Sequence, residues 1–308
     1  GKVSAMDAVS ETKGPRYAPY ASGRFQMAMG LVALDLTDWI DVDHNRAAEL
    51  CEKERLLAAR HGAVFGDLPE SAPAQREVLM LLLDNLERCH PGLISYDEGM
   101  VTVAETGKSY RLADFADHAL DLAGRLVQED LCLMSPGEEG YVLQAASLCF
   151  PARWVLAEKL GRPMMGIHEH VSGYAEKLGK PVDRFFTHLK ADKPVVRLNW
   201  SVIDDPALFQ TSGKFRTEDQ SEITPENAGD RLWLRVERQT LRRLPESGDI
   251  LFTIRTFVDP LSSLAARPDL AAGLRGAVAE MPEGMQRYKS LIPFRAALDG
   301  YLGNLTER

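Results

Sequence analysis

Apolar and polar positions along the chain follow two periods, and the change from one to the other outlines the fold. Over residues 45–61, Ala47, Leu50, Cys51 and Leu57 fall near one face of a helix that Gly62 stops. A stronger helix over residues 74–90 carries Val78, Leu79, Leu82, Leu83 and Leu86 as a wide apolar stripe, with Pro91 and Gly92 at its end. Ahead of these helices, Phe25, Met27 and Met29 alternate and residues 31–36 are mostly apolar, which predicts a strand within 23–39. Residues 100–112 read as a hairpin, with Val101 and Val103 alternating, a turn at 105–108, and Tyr110 and Leu112 returning. Asp114 caps a short helix to about Gln128. Residues 131–134 and 141–150 are apolar runs around a turn at Pro136-Gly137, and 153–160 is a short helix closed by Gly161 and Pro163.

From residue 195 the period is two. Val196, Leu198, Trp200 and Val202 alternate with Arg197, Asn199 and Ser201. Leu232, Leu234 and Val236 oppose Arg235 and Glu237, and Leu251, Thr253, Arg255 and Phe257 oppose Phe252, Ile254 and Thr256. Three such runs with polar intervals predict an antiparallel sheet. Helix returns over 269–279 and 285–302. No internal repeat, low-complexity tract or long flexible linker divides the chain. The expectation is an α+β domain over residues 16–308, preceded by a loose tail over 1–15.

Composition narrows the function classes. The 308 residues carry 36 Lys and Arg against 45 Asp and Glu, a formal net charge of −9, which argues against a broad nucleic-acid face and leaves room for a local basic pocket. Aromatics at 7% offer no stacking platform for single strands, and Trp154, Trp200 and Trp233 read as core. The apolar run at 78–83 is far short of a membrane span, and residues 1–15 lack the apolar stretch of a signal peptide. Cys51, Cys89, Cys132 and Cys149 form no CxxC pair and sit among apolar neighbours. They read as buried or half-buried free thiols, which suits a reducing cytoplasm and argues against an iron–sulfur cluster held here.

The sequence contains no GxGxxG, Walker A loop or GxSxG elbow. Its polar chemistry concentrates in two places. In residues 166–174, His168 and His170 stand at i and i+2 and would share one face of a strand; HExxH fails because Ser172 stands at the second histidine position. In residues 235–255, Arg235, Arg238, Arg242, Arg243 and Arg255 cluster, and Arg197 joins them if its strand is a neighbour. Guanidinium groups bind carboxylates and phosphates through a planar fork, so this cluster reads either as an anion site or as a salt-bridged face. Arg197 and Arg255 lie inside apolar runs, where a charge needs an anionic partner.

Several phrases resemble one family: residues 148–154 (LCFPARW), 158–163 (EKLGRP), 166–168 (GIH) with 171–174 (VSGY), 197–201 (RLNWS), 234–245 (LRVERQTLRRLP) and 252–256 (FTIRT). They are similar to the haem-dependent oxidative N-demethylases, over about residues 17–295. The resemblance implies a PAS-like sheet holding haem b, whose iron takes a histidine on one side and O2 on the other. It implies a monooxygenase subunit that oxidises a small secondary amine such as dimethylamine, through a carbinolamine, to a primary amine and formaldehyde. Electrons would come from separate reductase subunits carrying FMN, a 2Fe–2S cluster and an NADPH site.

Carried over by position, the resemblance makes His168 the axial iron ligand and Arg197, Arg238, Arg242 and Arg255 partners for the haem propionates. Tyr174 becomes a hydroxyl donor to the pocket, and Glu237 the acid that holds a protonated amine. His170 stands where the family is expected to carry proline. Two other readings stay open at this point. One is a PAS-like haem sensor without turnover. The other is a non-haem metal enzyme built on His168 and His170, with His188 or Glu158 as a third ligand.

Overall fold

The protein is described by a computed structural model that covers residues 14–26, 30–163, 180–212 and 220–307. Its main sheet contains β1 (Val32–Ala33), β2 (Phe65–Asp67), β6 (Asp130–Gly137), β7 (Gly140–Ser147), β8 (Val195–Ile203), β9 (Trp233–Arg243) and β10 (Ile250–Pro260). The order is β1-β8-β9-β10-β6-β7-β2, with every pairing antiparallel. A second sheet is the meander β3 (Ile94–Asp97), β4 (Met100–Val103) and β5 (Ser109–Arg111). The class is α+β.

Alternation sorts the main sheet into two faces. On one face, Leu131, Leu133, Val196, Leu234, Val236, Leu251 and Phe257 are buried. The helices α1 (Arg46–Val64), α2 (Ala72–Cys89) and α3 (Ala119–Leu126) pack over one part of it, and the C-terminal helices Pro268–Glu280 and Arg295–Thr306 over the rest. The stripe of α2 is wholly buried, as its period requires, with Val78, Leu82 and Leu86 shut off from solvent. The opposite face carries Cys132, Met134, Leu143, Leu241, Phe252 and Ile254, and packs against Leu156–Lys159 and Lys180–His188. A register shift between Leu133 and Met134 turns Leu143 onto this second face, although Ala145, two residues on, lies on the first.

Several local expectations change. The strand expected within 23–39 shrinks to β1, because the Asp35 carboxylate accepts from the Thr37 amide and starts a 3-10 turn over Leu36–Asp38; residues 27–29 lie outside the described ones. The helix expected over 114–128 is a 3-10 turn, Leu112–Phe115, followed by α3. The helix expected over 153–160 is only Leu156–Lys159, since Arg153 is left-handed with φ 61°. Strand β6 runs through Pro136 and Gly137, and the turn falls at Glu138 and Glu139, with Gly140 at φ 111°. The helix expected over 285–302 breaks into Glu283–Tyr288, a 3-10 turn Ile292–Phe294, and Arg295–Thr306, because Ser290 takes φ 57° and Pro293 follows. Cys132 and Cys149 are buried and Cys89 is half-buried, but Cys51 is exposed, so the expectation fails for that one thiol.

Candidate functional site

The second face of the main sheet forms the floor of a cavity of about 350 Å³. Phe150 and Trp154 from the segment after β7, and Val182 and Phe186 from Lys180–His188, contribute to its apolar walls. Strands β8 and β9 supply the polar floor, because their odd-numbered residues point there: Arg197, Asn199 and Ser201 from one, Arg235, Glu237 and Gln239 from the other. Register sets Asn199 directly opposite Glu237, and Arg197 opposite Gln239. Met285, Tyr288 and Lys289 close the end nearest the C-terminal helices.

Glu237 is held from two sides. Gln239 Nε2 donates to its carboxylate at 3.0 Å, and Arg235 Nε lies 3.9 Å away. Arg235 is itself fixed, donating to the Phe150 carbonyl at 2.7 Å and the Leu208 carbonyl at 3.2 Å. Burial pushes the Arg235 guanidinium below its ordinary pKa, against the pull of Glu237. Lys289 Nζ donates to the Trp200 carbonyl at 2.5 Å and to Asn199 Oδ1 at 3.3 Å, and sits 5.5 Å from the Trp200 ring centre. Burial pushes its ammonium down to about 8; Glu237 pulls the other way and Arg197 adds to the depression. The neighbouring Tyr288 phenol is pushed up to about 12 by burial, with Glu237 adding to the rise. At the wall, Arg153 keeps its left-handed backbone because Gln210 fixes it: the Arg153 amide donates to the Gln210 carbonyl at 2.7 Å and Nε to Oε1 at 3.2 Å.

The even-numbered arginines of β9 go elsewhere. Arg238 and Arg242 from β9, and Arg255 from β10, emerge on the first face beneath residues 38–49. Arg238 donates to the carbonyls of Asp38 at 2.5 Å and Trp39 at 3.2 Å. Arg242 lies over the Trp39 ring, 4.5 Å from its centre. Arg255 donates to the Asp41 carbonyl at 3.0 Å and pairs with Asp43 at 2.8 Å and Glu49 at 3.2 Å. These three face away from the cavity, so of the four arginines expected to meet haem propionates only Arg197 lies in its lining. Arg238 and Arg255 form the salt-bridged face that the arginine cluster also suggested, with Arg242 over Trp39, while Arg197, Arg235 and Glu237 share the cavity. His168, His170 and Tyr174 lie outside the described residues. Of the tryptophans expected in the core, Trp200 is buried, while Trp154 and Trp233 are half-buried.

A family model described as haem-dependent oxidative N-demethylase, alpha subunit-like, matches residues 30–298. The chain belongs to this family. The description carries haem dependence, oxidative N-demethylation and the standing of one chain in a multi-subunit assembly. The cavity suits such a cofactor. Its described lining holds five basic side chains (Arg153, Lys159, Arg197, Arg235 and Lys289) against the single carboxylate of Glu237, on walls that are otherwise largely apolar. An apolar slot accepts the faces of a macrocycle, and the basic excess accepts its two carboxylates. Among the described residues, no group of three or more His, Cys, Asp or Glu is placed to hold a metal ion. Nor, among them, is any helix long and apolar enough to cross a membrane.

Sequence reasoning missed Lys289, Lys159, Arg153 and Asn199. Lys289 reads in the sequence as an ordinary helix-surface lysine, and only the break at Ser290 turns it inward. Asn199 carried the signal of alternation, on the polar side of β8 beside Arg197.

Proposed function

We propose that this chain is the haem-carrying oxygenase subunit of an amine demethylase, acting on a small secondary amine such as dimethylamine and using O2. The observation that carries this reading is the cavity itself: an apolar slot with basic excess and one carboxylate, in a chain of this family. Arg197 is the floor residue proposed to meet the propionates of haem b, and Arg153 and Lys159 also belong to the lining. His168 is proposed as the iron ligand. The described residues on either side of segment 164–179, Lys159 before it and Val182 after it, both line the cavity. Tyr174, in the same segment, is proposed as a hydroxyl donor. The PAS-like description of the sheet and a cytoplasmic setting belong to the same proposal.

When bound, haem supplies the oxygen chemistry that converts an N-methyl group to formaldehyde. The chain's own residues bind and orient. Glu237, fixed by Gln239 and Arg235, is proposed to accept from the N–H groups of the protonated amine. The aromatic and aliphatic walls exclude water from the methyl groups and strengthen that polar contact. Flavin, 2Fe–2S and NADPH sites are assigned to partner reductase subunits.

The experiment is turnover. Haem-loaded protein supplied with reductase, NADPH, O2 and dimethylamine is expected to release formaldehyde. The Glu237→Gln variant is expected to raise KM roughly tenfold or more, the loss of one charge-assisted hydrogen bond of about 1.5–3 kcal/mol. Formaldehyde release with an unchanged KM would remove Glu237 from substrate binding. Absence of formaldehyde with full haem loading and reduction would leave the haem site without the demethylase.

A further inference from the structure

With the cavity read as the site of an N-methyl amine, as proposed above, its charges also bear on what else that amine carries. The described lining holds five basic side chains and one carboxylate. Glu237 and the two propionates of a bound haem neutralise three of the five, and two positive charges remain. A dialkylammonium ion would add a third. A buried charge needs a partner of opposite sign.

The fold places part of this surplus beside Glu237. Lys289 comes at the end of the helix Glu283–Tyr288, where the left-handed, buried Ser290 turns the chain and brings the lysine into the lining. Its ammonium has three N–H donors. The Trp200 carbonyl and Asn199 Oδ1 accept two of them, and the nearby Trp200 ring favours the charged form. Among the described residues no carboxylate comes within ion-pair distance of it, so the third donor is left for a ligand. Asn199 stands directly opposite Glu237 in the pairing of β8 with β9. Cross-strand partners lie about 4.5–5.5 Å apart at Cβ, so the ammonium held by Asn199 and the carboxylate of Glu237 are neighbours across the floor. Two residues along β9, Arg235 is 2% exposed and its Nε has no hydrogen-bond partner. The floor therefore offers one acceptor for an ammonium and, next to it, cations that lack an anion. An α-amino acid carries that pair of opposite charges on a single carbon.

We propose that the cavity selects an N-methyl α-amino acid, of which N-methylglycine is the smallest, and that Lys289 is the specificity residue that binds its carboxylate while Glu237 binds its ammonium. Dimethylamine presents the same N-methyl ammonium without the carboxylate, and leaves Lys289 unpaired. The reaction balances: N-methylglycine, O2, NADPH and one proton give glycine, formaldehyde, NADP+ and water. The methyl carbon is oxidised and O2 reduced, the N–CH3 bond is exchanged for N–H, and the electrons come from NADPH through the reductase subunits.

The test is calorimetric binding to the haem-loaded protein at neutral pH, comparing N-methylglycine, its carboxamide and dimethylamine, with haem content checked by absorbance. N-methylglycine is expected to bind about tenfold or more tightly than the other two, the worth of a charge-assisted hydrogen bond. In Lys289→Met that preference should fall below about twofold. Lys289→Arg, which keeps the charge, should retain it. With reductase, NADPH and O2, N-methylglycine should yield glycine and formaldehyde at a lower KM than dimethylamine. Equal affinity for the three ligands would overturn the assignment, as would a preference that survives in Lys289→Met. Haem lost from Lys289→Met but kept by Lys289→Arg would put the lysine on a propionate and overturn it as well. Dimethylamine turnover without the preference would overturn this substrate class alone. Failure of both amines to bind would remove the amine reading of the cavity, and this assignment with it.

Discussion

Asp130, at the start of β6, is a fully buried carboxylate that anchors the cavity wall: it accepts from the amides of Cys149 at 2.9 Å and Phe150 at 3.0 Å. Burial raises it from the ordinary 3.8 to about 6, against the pull of Lys53 and the two amide donors. Because the folded value lies above the unfolded one, the folded protein holds an extra proton between those values. The contribution of this group to stability is therefore greatest below about pH 4 and is lost as pH rises through 6. Carboxyl-carbon NMR of the Asp130 side chain should show a midpoint near 6, with the Phe150 amide shifting in the same titration. A midpoint near 4 would mean that the carboxylate is far better solvated than its place in the fold implies.

At the scale of elements, β9 and β10 decide which charges do chemistry and which hold the fold. An arginine cluster in the sequence announces itself but not its faces; strand alternation then divides it. Arg235 goes to the cavity, whereas Arg238, Arg242 and Arg255 bind residues 38–49 down onto the sheet. Arg255 is 1% exposed in its side chain and neutralises two carboxylates. Replacing it with Met should cost about 3–5 kcal/mol in urea unfolding, since Asp43 and Glu49 would lose their counter-charge and keep only neutral donors such as Gln128. A loss below about 1 kcal/mol would show that residues 38–49 are held by apolar packing, through Trp39 and Ile40. The long strands and α1 to α3 were legible because period and burial agree over many residues. The broken helix after residue 283 was not, because a single left-handed serine and Pro293 override an apolar pattern that reads as continuous. The apolar run over 31–36 announced a strand, but not that it would shorten to the two residues of β1.

At the scale of the molecule, a chain of net charge −9 builds a cavity whose described lining is strongly basic. That contrast of sign, together with the family, is what points to an anionic, largely apolar cofactor. The family was legible from phrases spread over most of the chain, and Arg197 and Glu237 from alternation. The basic wall was not legible, since Arg153, Lys159 and Lys289 come from three separate segments that only the folded chain assembles. The family description names an alpha subunit, which implies further subunits in the assembly. All of this turns on one claim, that the cavity holds haem ligated by His168. The direct measurement is the absorption spectrum of the haem-reconstituted protein beside that of His168→Ala. A Soret band at one haem per chain, lost or shifted in the variant, is the expected result. An unchanged band in the variant would contradict the ligand assignment, and absence of haem binding in the wild-type chain would contradict the haem reading of the cavity.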